Sequence, residues 1–192
     1  MNSSIRWRVM LLQAVVIVVL AGAAAIAYGA GTFSHNQISG QLTAQQITFP
    51  AADSAAIKAL PAADASAMNQ YAGQNLTNGV QAETYANHFL GVHLSDMGMT
   101  YSQASAKAMA NPTDAKTAGL VATLFKGETL KGLLLNAYGW WTIGTYALYA
   151  AIGLAIAALA VFGAFLFELV EAFKDRKVTV RSTSRAAAPT TA

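Results

Sequence analysis

The sequence predicts an all-α membrane protein, in which two transmembrane helices flank a small extracytoplasmic helical bundle. Three observations predict it. Apolar residues make up 55% of the chain and charged residues only 11%, against the roughly 25% charged that soluble domains carry. The apolar excess is gathered into two uncharged blocks instead of being spread over a core. Between the blocks there are helix caps and breakers but no sustained two-residue alternation, so no sheet is expected. With both spans set aside, roughly a hundred residues remain, enough for one modest core.

Residues 1–8 are the expected cytoplasmic N-terminus and residues 9–28 the first span. Val9 to Tyr28 carries no charge, and Gln13 is its one strongly polar side chain. About 20 helical residues rise about 30 Å, the thickness of the hydrocarbon core. Trp7 is an expected membrane-interface residue. Ala25-Ile26-Ala27 has the small-x-small form of a signal cleavage site. Signal apolar cores run about 7–15 residues and this block is longer, so an uncleaved anchor is expected.

Residues 29–137 are the expected extracytoplasmic domain. Gly31 to Gln46 is polar and either prolongs the first helix or forms a linker. Phe49-Pro50 is a break, because proline pushes the preceding residue out of the helical region. Asp53 is placed to cap a short helix that ends before Pro61, and Asp64 to cap a longer one reaching about Leu90. Gly91 and Gly98 mark loop positions. Thr100 and Gln103 have capping-box spacing before the next helix, which Asn111-Pro112 closes. Thr113 or Asp114 starts the last helix, with Leu120, Leu124 and Phe125 inward and Gly127 as an interruption.

Residues 138–167 form an interfacial lead-in and the second span. There is no charge from Gly132 to Phe167. Tyr138, Trp140 and Trp141, followed by Tyr146 and Tyr149, form an aromatic belt of the kind found at membrane–water interfaces. This places the lipid-buried part at about Ile143 to Phe167. Residues 168–192 are a basic cytoplasmic tail, disordered from Val178 to Ala192.

Orientation follows from Lys and Arg next to the spans. Arg6, Arg8, Lys174, Arg176 and Lys177 are the cytoplasmic anchors, whereas Ala30 to Ala52 holds no Lys or Arg. Both termini are therefore expected in the cytoplasm at the plasma membrane, with the centre outside. Charges in the central segment nearly cancel, so the net charge of +3 comes from the ends and implies no nucleic-acid partner. The chain has no cysteine, which excludes disulfides, thiol nucleophiles and zinc–thiolate sites.

No catalytic, cofactor or metal site is expected. His88 and His93 lie five apart, which rotates them about 140° from one another on a helix, unlike an i,i+4 ligand pair. The acidic residues show no spacing that selects an acid–base pair. Asn75-Leu76-Thr77 is a formal glycosylation sequon of a kind that chance often produces. The stronger signal lies in the second span. Gly153, Ala157, Ala160 and Ala164 put small residues on one face, where another helix can approach closely. Ala21, Gly22, Ala25 and Gly29 do the same in the first span. The contact is either between the two spans of one chain or with another subunit.

At Gln46-Ile47-Thr48-Phe49-Pro50, Tyr85-Ala86-Asn87-His88-Phe89 and Leu124-Phe125-Lys126-Gly127-Glu128-Thr129-Leu130-Lys131-Gly132 the chain resembles a group of uncharacterised actinobacterial two-span membrane proteins with an extracytoplasmic helical domain. The resemblance implies a Gram-positive, high-GC source and carries over no activity or functional residue. The expected function is that of a non-enzymatic integral membrane protein of the cell envelope. It would be a structural or interaction subunit whose partners are the lipid bilayer and either further copies of itself or another membrane protein. The alternative is a sensor-like ligand-binding module. Residues 168–192 are too few for an output domain, so a sensor would signal through a partner subunit.

Overall fold

The structure, a computed structural model, describes the backbone of residues 3–186 and the side chains of residues 4–174. The described backbone is almost wholly helical, and its one β feature is an isolated bridge between Thr48 and Asn75. Helix α1 (Ser3–Ala44) and helix α7 (Ala115–Ala186) are the two long apolar helices. Each holds an 18-residue window apolar enough to cross a bilayer, and only 6% of either window is buried within the protein. A core helix of a water-soluble fold would hide such a stretch. Between them run α2 (Ala55–Lys58), α3 (Ala62–Asn69), α4 (Gly79–Tyr85), a π-helical turn (Ala86–Leu90), α5 (Gly91–Ser95) and α6 (Tyr101–Ala110).

The chain divides into two compact units. One joins α1 up to Gly29 with α7 from Ala147 onward; the other is Ala30–Tyr146.

In the first unit the two helices share a seam. On α7 the buried or half-buried residues are Ala147, Ala151, Leu154, Ala158, Val161, Phe165, Glu168 and Ala172. On α1 they include Arg6, Met10, Gln13, Ile17, Leu20, Ala24 and Ala27. Both series alternate steps of four and three, the spacing that keeps one face of a helix against its neighbour. Met10, Ala151 and Ala158 are its fully buried members. Arg6 Nε lies 3.5 Å from Glu168 Oε2, which sets the helices antiparallel.

The second unit has its core around Phe49, Met68 and Leu76, each at most 1% exposed. Ile38 and Leu42 of α1 and Leu134 and Ala137 of α7 join it. Phe49 meets Tyr71 and Tyr85 at ring-centroid distances of 5.3 Å. A smaller cluster of Leu94, Ala104 and Leu124 packs with Met97, Met99, Leu120 and Val121.

Several local expectations are met. The polar stretch after Gly31 prolongs α1 to Ala44. Thr100 and Gln103 form the reciprocal capping box, Gln103 N donating to Thr100 Oγ1 at 3.3 Å and Thr100 N to Gln103 Oε1 at 2.8 Å. Asn111 closes α6. Asp114 caps α7, its carboxylate accepting from the backbone N of Lys116 and Thr117 at 3.1 Å and from the Thr117 hydroxyl. The Thr117 hydroxyl, before the backbone donors, holds this carboxyl below the usual range.

Others are corrected. Asp53 does not cap α2. It sits at φ +60°, and Ser54 takes the cap, accepting from Ile57 N. Asp tolerates the left-handed region, so the chain turns on Asp53 and starts the helix one residue later. Asp64 lies in the first turn of α3 rather than at its cap, and no single helix reaches Leu90. The chain breaks after Asn69, turns at Gly73 (φ +71°) and restarts with Asn78 accepting from Gln81 N at 2.9 Å. The break lets Leu76 enter the core in a stretch paired with Ile47 and Phe49. Gly91 is helical, whereas Gly98 (φ +75°) is a turn. Gly127 does not interrupt α7. A Cβ there would fall 2.5 Å from Leu94 Cδ2, so its bare backbone is the notch that seats Leu94. Phe125 points outward, 57% exposed, against the ring of Tyr101. Finally, α7 runs on through Val178 to Ala186, where low complexity predicts disorder. No Gly or Pro stands between Gly163 and Pro189 to stop it. The rest of that tail, residues 187–192, lies outside the described residues.

Candidate functional site

Two features stand out, one in each unit. In the helical hairpin, Gly153, Ala157, Ala160 and Ala164 are all exposed and lie outside the seam with α1. With the exposed Ala150 they step by three, four, three and four along α7, so they form a second lengthwise face beside the first. A Cβ on Gly153 would meet nothing within 4 Å. Ala21, Gly22, Ala25 and Gly29 of α1 are exposed as well. The seam uses Ala151 and Ala158 instead, so the small-residue face of α7 is uncovered in the single chain.

In the second unit a polar clamp ties α1 to α7. The imidazole of His35 stacks on the indole of Trp141 with centroids 3.9 Å apart and planes 7° from parallel. His35 Nε2 is 3.0 Å from the Trp141 carbonyl and 3.0 Å from Thr145 Oγ1. A carbonyl oxygen only accepts, so Nε2 carries the hydrogen. Thr145 Oγ1 donates to the same carbonyl at 3.0 Å, and Ser34 Oγ donates to the Trp140 carbonyl at 2.7 Å. Two glycines make room. A Cβ on Gly144 would sit 2.9 Å from His35 Cδ2, and one on Gly79 would sit 2.2 Å from Trp141 Cβ.

No family model, curated protein or solved structure matches this chain. Its chemistry is therefore read from its own geometry.

The remaining predicted residues fall as follows. Trp7, Tyr138 and Trp140 are exposed, while Trp141 is half-buried in the clamp. Arg6 faces Glu168, Arg8 is exposed, and Lys174 pairs with Glu171 at 2.7 Å. The side chains of Arg176 and Lys177 lie outside the described residues. His88 Nδ1 is 2.7 Å from Asp64 Oδ1, whereas His93 Nδ1 donates to the Phe89 carbonyl at 2.8 Å. The two histidines thus serve different partners. Among the described residues there is no group of three or more His, Asp or Glu that would hold a metal.

Sequence reasoning missed the clamp because it read Trp141 for its interfacial chemistry alone. A signal was present: Leu134, Ala137, Trp141 and Gly144 carry the same three-four spacing as the seam, and all four are buried or half-buried.

Proposed function

We propose that this is a non-enzymatic integral membrane protein of the cell envelope and an interaction subunit of an assembly. The parts of α1 and α7 in the hairpin unit cross the plasma membrane, both termini are cytoplasmic, and the Ala30–Tyr146 unit is extracytoplasmic. The orientation is supported by Arg6, Arg8 and Lys174 at one end of the spans and by the absence of Lys and Arg from Ala30 to Ala52. The assembly reading rests on one observation: α7 carries a lengthwise face of closely spaced small residues beside its seam with α1, and α1 does not cover it.

Helices in lipid gain little from the hydrophobic effect when they meet, so close van der Waals approach carries much of their association. Gly153 and Ala157 permit that approach. The partner is a second copy of this chain or another membrane protein, and the bilayer covers the rest. The test is the mass of the full chain purified in mild detergent, with anything that co-purifies. The wild type is expected above the 20.0 kDa of one chain. Gly153→Ile with Ala157→Leu keeps the segment apolar, so it should insert normally and lose the partner. Ala151→Leu with Ala158→Leu should instead open the hairpin. A wild type of one-chain mass with no companion, or a Gly153/Ala157 variant with the partner retained, overturns the reading.

A further inference from the structure

A groove of about 390 Å³ lies in the second unit, away from the clamp, between α5, the loop into α6, and α7. Its volume falls at the lower end of the range of about 300–1,000 Å³ typical of small-molecule sites. Leu94 and Met99 give it an apolar floor. Ser95, Gln103, Glu128 and Lys131 are its polar lining.

The polar groups are arranged unevenly. Lys131 is half-buried, and its side chain crosses bare backbone at Gly91, where a Cβ would be 3.5 Å from Nζ and 3.8 Å from Cε. Among the described residues neither Lys131 nor Glu128 has an ion-pair partner. They stand three apart on α7, which holds their Cβ atoms about 5–6 Å from each other, yet they do not pair. A half-buried ammonium with no counter-ion loses hydration without compensation. Gln103 spends its Oε1 on the capping box, so the end of its amide left for a ligand is the NH₂ donor. Ser95 Oγ donates to the Val92 carbonyl and keeps its lone pairs. The lining thus offers donors from Lys131 and Gln103 and acceptors from Glu128 and Ser95. The π-helical turn just before Gly91 is a further mark, since such turns concentrate at functional sites.

We infer that this groove binds a free α-amino acid with an apolar side chain, its carboxylate on Lys131 and Gln103, its ammonium on Glu128 and Ser95, and its side chain on Leu94 and Met99. A zwitterion supplies a counter-charge both to the half-buried Lys131 and to the exposed Glu128. A purely anionic ligand would leave Glu128 repelling it, and a purely cationic one would do the same at Lys131.

The experiment is calorimetry on the full chain in detergent with L-leucine, L-leucinamide, which lacks the carboxylate, and N-acetyl-L-leucine, which lacks the ammonium. L-leucine should bind saturably, one per chain, and more tightly than either analogue. Lys131→Met should weaken L-leucine about tenfold or more and tighten L-leucinamide, which Lys131 repels; Glu128→Gln should weaken L-leucine and tighten N-acetyl-L-leucine, which Glu128 repels. Neither residue belongs to a buried cluster, so both variants should melt as the wild type does. Wild type that shows no saturable binding of L-leucine up to about 10 mM, at the weak end of specific affinities, overturns the inference. So do two variants that bind it with wild-type affinity.

Discussion

His35 lies flat on Trp141, 3.9 Å away and 7° from parallel, and hands its Nε2 hydrogen to the carbonyl of the same residue. One residue of α7 thus supplies both a ring surface and an acceptor to one residue of α1. The pair can be divided by substitution. His35→Phe keeps a ring on the indole but removes the donor, and should cost about 1 kcal/mol. Trp141→Ala removes the stack and the contact with Gly79, and should cost about 3 kcal/mol. Denaturant unfolding in detergent, followed by near-ultraviolet circular dichroism, measures both. Equal losses would mean that the ring contact contributes no more than the hydrogen bond.

The glycines of the second unit separate by surroundings. Gly79→Ala forces a methyl into Trp141 and should destabilise by about 2 kcal/mol. Gly139 of α7 has nothing within 4 Å of where its Cβ would stand. Gly139→Ala should therefore stabilise the helix by about 0.5–1 kcal/mol, through reduced backbone entropy in the unfolded chain. Melting temperatures that shift in opposite directions are the expected result.

Asp114 gives a pH dependence of known sign. Its folded-state carboxyl is held below the usual range, chiefly by the Thr117 hydroxyl. The cap therefore stabilises fully above the ordinary carboxylate pKa and fades as pH falls through the depressed folded value. Asp114→Ala should lower the melting temperature at neutral pH, and the gap from wild type should shrink in strong acid. Asp114→Asn should recover part of the loss, since Asn also caps well. A gap that does not change with pH would show that the charged cap is irrelevant.

How much of this was legible in the sequence follows from the range of each interaction. Thr100 with Gln103 is a bond within one turn, and its spacing reveals it; Asp114 was legible only as one of two adjacent candidates, with Thr113, for the start of α7. The apolar runs of α1 and α7 need no partner to be recognised. Asp53 failed as a cap because Ser54, its neighbour, competes for the same role, and spacing does not rank two adjacent capping residues. The break before Asn78 was hidden because Leu76 reads as one more apolar helix position until Ile47 and Phe49 are found beside it. The small residues of α7 were visible, but which face of the helix meets α1 depends on rotation about its axis. Ala151 and Ala158 differ from Ala157 and Ala164 only in that rotation. The clamp was illegible for the same reason, with His35 and Trp141 more than a hundred positions apart.

The central claim is that α1 and α7 cross the membrane with the intervening unit outside. The chain has no cysteine, so single substitutions give unique labels. Asn111→Cys and Lys174→Cys should be tested in intact cells with a membrane-impermeant maleimide, then again after permeabilisation. The account predicts that Asn111→Cys reacts in intact cells and that Lys174→Cys reacts only once the membrane is opened. Labelling of Lys174→Cys in intact cells with Asn111→Cys protected, or equal labelling of both, would contradict it.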